Sequence, residues 1–166
     1  MEAWITLSGI QLYKQVSNSV YKDKLNQIIL ETQFEDIQPL LGETFFYTID
    51  SNIEAYADLL NGSSYLYNGV TYVNVGLKAV LANYIYARLA MFGDVIDNPF
   101  GMTTKLNVNE SKPIDLATKK TFYNSNRQYA YSLWLNVEKF IVRTNLAGYN
   151  SGCTTKPNTF KISKIG

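Results

Sequence analysis

Acid–base chemistry in this chain can rest only on carboxylates, because the other usual catalytic side chains are missing or stranded. There is no histidine, which removes the common general base near neutral pH and the commonest metal ligand. The single cysteine, Cys153, sits in a Gly- and Thr-rich stretch and has no second cysteine to pair with. Ser-His-Asp and Cys-His arrangements are therefore excluded, as are zinc sites of the Cys/His type. Two acidic pairs remain: the adjacent Glu35 and Asp36, and Asp94 with Asp97, just after an apolar segment. A glycosidase needs two carboxylates converging from opposite sides of a cleft. Nothing in these spacings indicates convergence, so surface or capping roles are the expectation. The Asp94-Val-Ile-Asp-Asn run lacks the ligand pattern and central glycine of a calcium loop. Neither Gly-x-x-x-x-Gly-Lys-Ser/Thr nor Gly-x-Gly-x-x-Gly occurs, so no phosphate cradle and no cofactor are expected. The sequence points away from catalysis.

Two arginines stand out because they lie inside apolar or aromatic helical patterns. Arg88 falls on an apolar stripe, where a charge needs a partner carboxylate or an interface. It either bridges to a neighbouring subunit or snorkels out along the rim of the core. Arg127 lies in a comparable setting further on. Thirteen tyrosines against four prolines are the other unusual feature. A tyrosine buries a large ring and keeps one polar tip for a partner, which suits both protein interfaces and the lining of a helical core.

The elements that position these residues are mainly helical. Trp4–Leu7 and Ile10–Tyr13 read as short strands or extended segments lying on the body. Ser17 and Asn18 are plausible caps for a helix that carries Leu25, Ile28 and Ile29 to about Gln33. Phe34–Gly42 reads as a short helical turn stopped by Gly42, and a second helical region runs from about Glu43 to Leu60. Its stripe is Ile49, Ile53, Tyr56, Ala57 and Leu60. Asn68-Gly69 supplies the two positive-φ positions of a type I′ turn between β-branched and aromatic runs, which predicts a hairpin over Tyr65–Val73. A lone hairpin is marginal in water, so it must pack on the body or on another subunit.

After the hairpin, Leu77, Val80, Leu81, Tyr84, Ile85, Leu89 and Phe92 recur at helical spacing and predict a buried central helix. Residues 98–113 then have almost nothing to bury and no helical period, which predicts a long extended loop. It is read as a functional arm rather than a plain solvated connection. Phe100 and Met102 flank Gly101 as apolar anchors, and Lys105-Leu106-Asn-Val alternates briefly like a strand. A last helix is expected over Ile114–Asn145, with Asp115 in its first turn and a stripe of Tyr123, Ala130, Leu133, Trp134, Val137, Phe140 and Ile141. The segment from Gly148 to Gly166 reads as an extended tail. Phe160 and Ile162, with Ile165 after a gap, give it one apolar face, so it either adds to a sheet edge on a neighbour or frays. The fold class is thus mainly α: a small helical bundle with a short β-hairpin insertion, a long extended loop and an extended C-terminal arm. Residues 1–147 form one domain, and 148–166 are its tail.

Composition sets outer limits. A chain of 166 residues suits one domain, and 46% hydrophobic with 17% charged residues describes a folded protein. A net charge of +1, with scattered lysines, gives no support to sequence-specific nucleic-acid binding. No apolar segment approaches the length of a membrane span and the N-terminus lacks a signal-peptide core, so no membrane is expected and the chain reads as soluble and made in the cytosol.

The order of features is itself informative. An early helix leads to Ile37-Gln-Pro-Leu-Leu-Gly42; Tyr56 and Leu59-Leu60 mark a second helix, and Gly76-Leu-Lys-Ala-Val-Leu-Ala-Asn-Tyr-Ile-Tyr86 opens the central one. The arm around Phe100–Lys105, Ser111-Lys-Pro113 and a long last helix follow. Over roughly residues 17–145 this resembles the head–tail connector (adaptor or neck ring) family of tailed bacteriophages, in the branch found in phages of gut Bacteroidetes, including crAss-like phages. The resemblance implies a non-enzymatic virion protein, assembled in the host cytoplasm. Its subunits would form a homo-oligomeric ring, usually of twelve copies, beneath the portal, extending the DNA channel and docking the next neck or tail protein. Carried onto this sequence, Phe100, Gly101, Met102, Thr103, Lys105 and Leu106 would contact a neighbouring subunit or the next ring. Phe160 and Ile162 would lie in a docking arm, with Arg88 as a further contact. The Tyr65–Val73 hairpin has no place in that family's helical core. A small-ligand or glycan-binding module is the alternative; it needs several aromatics converging on one concave face.

Overall fold

Helical periodicity prevails over most of the chain, and the structure is mainly α with a small antiparallel hairpin inserted between helices. The structure, a computed structural model, describes residues 2–17, 22–93, 95–98, 101–104, 115–146 and 148–149.

The N-terminal segment, expected to be extended, turns helical from Leu7, while residues 4–6 before it are not helical. Helix α1 (Leu7–Gln11) is capped by the Thr6 hydroxyl, which accepts from the Gly9 amide. Trp4, Ile5 and Ile10 are all buried. In place of a strand neighbour, the Gln33 side-chain amide accepts from the Trp4 backbone N–H at 2.8 Å and donates to the Glu2 carbonyl at 3.1 Å. Helix α2 (Lys22–Thr32) does not stop at Gln33. It widens into a π-helical segment, Gln33–Ile37, and runs on as α3 (Gln38–Leu41). Gly42, at φ +79°, ends it as expected. The proposed cap Asn18 lies outside the described residues.

The second helical region is broken where a single helix is expected. Helix α4 (Glu43–Ser51) stops at Asn52, a short 3₁₀ turn spans Glu54–Tyr56, and α5 (Ala57–Asn61) follows. Ala57 is exposed, and the region's burial comes from Phe45, Phe46, Ile49, Leu59 and Leu60. Strands β1 (Ser63–Tyr67) and β2 (Val70–Asn74) pair from Ser63↔Asn74 to Tyr67↔Val70, with Asn68 and Gly69 at φ 50° and 76°. That is the expected type I′ hairpin.

Helix α6 (Leu77–Phe92) is the centre of the molecule, packed chiefly on α7 and also on α1, α2 and α5. Its first turns are buried on every side rather than along one stripe: Ala79, Ala82, Asn83 and Ala87 are inside together with Leu77, Val80, Leu81, Tyr84 and Ile85. Small residues on the remaining faces let neighbours approach. The helix then emerges, and Phe92 is exposed.

The region expected to be an irregular arm opens as a second antiparallel hairpin. Strand β3 (Val95–Asn98) pairs with β4 (Gly101–Thr104), from Val95↔Thr104 to Asn98↔Gly101. Val95, Ile96, Thr103 and Thr104 carry the β-branched propensity for it on both sides of Pro99. Helix α7 (Leu116–Thr144), 29 residues and about 43 Å long, begins with Asp115 as its N-cap and ends at Asn145 in the left-handed region. Ala130, Trp134, Val137, Phe140 and Ile141 line its buried face, with Tyr123 and Leu133 half-buried. Residues 148–149 still belong to the body: the Tyr149 ring meets Phe45 at 5.8 Å, and its hydroxyl donates to Glu138 at 3.0 Å.

Candidate functional site

Of the two acidic pairs, Glu35 and Asp36 do not lie on the surface together. The π-helical segment turns Asp36 inward, where its side chain is only 2% exposed, and leaves Glu35 on the rim at 63%. The Nε of Arg88, on α6, donates to Asp36 Oδ2 at 2.9 Å, and its Nη2 reaches both that oxygen and Glu35. Arg127, on α7, takes the other oxygen, Asp36 Oδ1, at 2.7 Å. The Arg127 guanidinium also lies 5.0 Å from the ring centre of Tyr84 and 5.3 Å from that of Tyr123. One buried carboxylate thus ties three helical segments together. Arg88 finds its carboxylates, Glu35 and Asp36, inside its own chain.

The electrostatics of this knot follow from its burial. Burial pushes the Tyr84 phenol up to about 12, against the pull of Arg127 and with the help of Asp36 and Tyr131. Burial also works against the Arg88 charge. Hydrogen bonds and opposite charge from Glu35 and Asp36 outweigh it and hold the guanidinium above its usual value. Both Asp36 oxygens are engaged by arginines, so the carboxylate offers no free base. Among the described residues there is no cluster of three or more metal-ligating side chains. An open concavity of about 440 Å³ is lined by Gln11–Val16. Beside it the Lys14 ammonium donates to Asn126 Oδ1 at 3.0 Å and sits 5.3 Å from the ring centres of Tyr86 and Tyr129. Both tryptophans, Trp4 and Trp134, are core residues and present no ring to a ligand.

The most distinctive surface is the β1–β2 hairpin. Its inner face is aromatic: Tyr65 stacks on Tyr72 at 5.8 Å and meets Phe140 of α7 at 5.0 Å. Arg143 lies 4.2 Å from the Tyr72 ring centre and donates to the Tyr65 hydroxyl at 3.1 Å. Its base is clamped by asparagines. Asn136 of α7 donates to the Val73 carbonyl and accepts from the Val75 amide, while Asn74 donates to the Asp58 carbonyl and accepts from the Gly76 amide. The outer face is left bare, with Leu66 72% and Val73 61% exposed. No charged residue occurs from Gly62 to Leu77. A second apolar stripe, Tyr131, Leu135 and Val142, lies exposed along another flank of α7. The clamping asparagines escape a reading for catalytic residues. A lone Asn136 between Leu135 and Val137 in mid-helix is the one local signal of such a role.

The other predicted contact residues divide. Gly101, Met102 and Thr103 lie in β4. Phe100, Lys105, Leu106, Phe160 and Ile162 are outside the described residues, as is the whole 105–113 segment of the arm.

A family model described as a family of unknown function, DUF6712, matches residues 37–159, well over half of the chain. The chain belongs to the DUF6712 family. No curated protein and no solved structure matches it. The DUF6712 region takes in both hairpins, α6 and α7, and so includes Arg88, Arg127 and the bare hairpin face; Asp36 lies one residue before it.

Proposed function

We propose that this chain is a structural, non-enzymatic subunit that associates with copies of itself into a ring, in the neck of a tailed-phage virion between portal and tail. The observation that carries the reading is the hairpin's outer face: Leu66 and Val73 exposed on an element rigidly clamped to the body. Monomers seldom leave an apolar, uncharged face on a projecting element without a partner. The Tyr131, Leu135 and Val142 stripe lies on a different flank of α7 from Asn136, where the hairpin attaches. Two unlike apolar surfaces on different flanks suit a heterologous contact, the kind that closes into a ring. The resemblance to connector proteins supplies the setting, with portal on one side, the next neck or tail component on the other, and DNA passing through. A near-neutral chain lets DNA slide without strong phosphate binding.

Mass photometry and negative-stain micrographs of the purified protein at micromolar concentration, with and without portal, test this. Rings, alone or on portal, are the expected result. A strict monomer that never binds portal overturns it.

A further inference from the structure

The hairpin has an open edge as well as a bare face, and the two together identify what covers them. Asn136 donates to the Val73 carbonyl at 3.1 Å, so the backbone groups of Val73 point away from β1. Ser64, directly opposite Val73, then points its own N–H and C=O away from β2, and by the alternation of antiparallel pairs so does Leu66. Among the described residues neither Ser64 nor Leu66 has a backbone partner beyond its own hairpin. Edges of this kind are ordinarily blunted by lysine, proline or a bulge, and β1 has none of these. It is the template for a third strand.

The tail carries a segment of matching pattern outside the described residues. Phe160-Lys-Ile-Ser163 alternates, with Phe160 and Ile162 on one side and Lys161 and Ser163 on the other, before Lys164 interrupts the apolar side. We propose that this segment of a neighbouring copy adds as a third strand along the open edge of β1. Phe160 and Ile162 then continue the apolar face of Leu66 and Val73. The proposal rests on the self-association read above and names its contact.

Where the chain leaves the body argues for a neighbour rather than the same copy. Tyr149 is fixed to Phe45 and to Glu138 of α7. At ~100° per residue, Glu138 lies about 200° round the helix from Asn136, the residue that holds the hairpin. The tail therefore departs from the side of α7 turned away from its own hairpin, close to the exposed Tyr131, Leu135 and Val142 stripe. In a head-to-tail ring that stripe faces the next copy's hairpin. Residues 150–158 span up to ~30 Å when extended, enough to reach it.

The test is covalent trapping in the full chain carrying Cys153→Ser, at micromolar concentration. Leu66→Cys is combined in turn with Phe160→Cys, Ile162→Cys or Lys161→Cys, and mild oxidation is followed by a non-reducing gel. Expected is a ladder of covalent oligomers from the Phe160 or Ile162 combination and little from Lys161, whose side chain faces the other way. A covalent monomer, equal trapping by all three, or none overturns strand addition. Amide exchange provides a second measure: Ile162→Pro removes a donor from the added strand, and the Ser64 and Leu66 amides should exchange about tenfold faster or more than in the unsubstituted assembly. Unchanged exchange also overturns it. An oligomer that shows no trap defeats this contact and leaves self-association standing, whereas a monomer at every concentration defeats both.

Discussion

At the scale of single residues, Asp36 is the position on which most depends. Its two oxygens satisfy Arg88 and Arg127, and removing one partner of a buried ionic group leaves the others uncompensated. Asp36→Asn is expected to destabilise the fold by about 3 kcal/mol. Glu35→Gln, acting on a rim carboxylate, should cost below about 1 kcal/mol. Urea unfolding of the two variants decides it, and equal losses would show that the buried oxygens of Asp36 do not dominate. Tyr84 gives a pH signature. Its phenol is raised to about 12 by burial in the folded state, against an ordinary value of 10.0. The folded protein therefore holds this proton more tightly than the unfolded chain. The resulting stability is fully present below about pH 10 and is lost as pH rises towards about 12. Thermal melts across that window should fall less steeply for Tyr84→Phe than for the unsubstituted protein; parallel slopes would show that Tyr84 ionises as freely folded as unfolded. Little of this was legible beforehand. Arg88 announced a need for a carboxylate because it interrupts an apolar stripe, but its partner is fixed by tertiary packing at a separation of 52 residues, which no local pattern encodes.

At the scale of elements, legibility followed how local the determining physics is. The β1–β2 hairpin was readable because Asn68-Gly69 alone dictates the turn, α7 because its apolar period runs for many residues, and α6 because its apolar run is too long for a strand. The break at Asn52 and the π-helical segment at Gln33–Ile37 were not readable, since both serve distant partners: the π segment carries Asp36 to the arginines and Gln33 to Trp4. The N-terminal helix α1 was mistaken for extended chain because its short apolar runs carry too few residues to define a period. The juncture between α5, the hairpin and α6 makes a sharp prediction. Gly76 sits at φ +84°, and a Cβ there would lie 2.5 Å from the Gly62 amide nitrogen and 2.7 Å from the Asn61 carbonyl carbon, both backbone. Gly76→Ala therefore meets left-handed strain and a contact that cannot give way, at a combined cost of about 3 kcal/mol. Because the clash lies where the hairpin joins the body, amide protection of β1 and β2 should fall before that of α7. Hydrogen exchange on the variant checks this, and uniform loss along the chain would argue against a local hinge.

At the scale of the whole molecule, two kinds of surface are kept apart. Inside lies the knot of Asp36, Arg88 and Arg127 that fastens the π segment to α6 and α7. The projecting hairpin, with no charge from Gly62 to Leu77, presents leucine, valine and unpaired strand edge outward. An assembly built on such a surface draws its free energy from apolar burial and strand pairing, neither of which is screened by ions. Its partition between monomer and oligomer should accordingly hold between about 0.05 and 0.5 M salt, a range over which the screening length shrinks severalfold. The combined Leu66→Asp and Val73→Asp variant should move it decisively. Both side chains are exposed, so the variant's unfolding free energy should stay within about 0.5 kcal/mol of the unsubstituted protein. Each added carboxylate must nevertheless lose its water to enter a contact, and assembly at micromolar concentration should be abolished. Sedimentation velocity across the salt series, alongside urea unfolding of the variant, separates the two effects. An oligomer that dissolves in salt while tolerating both aspartates would mean that a charged surface elsewhere, and not the hairpin, holds the copies together.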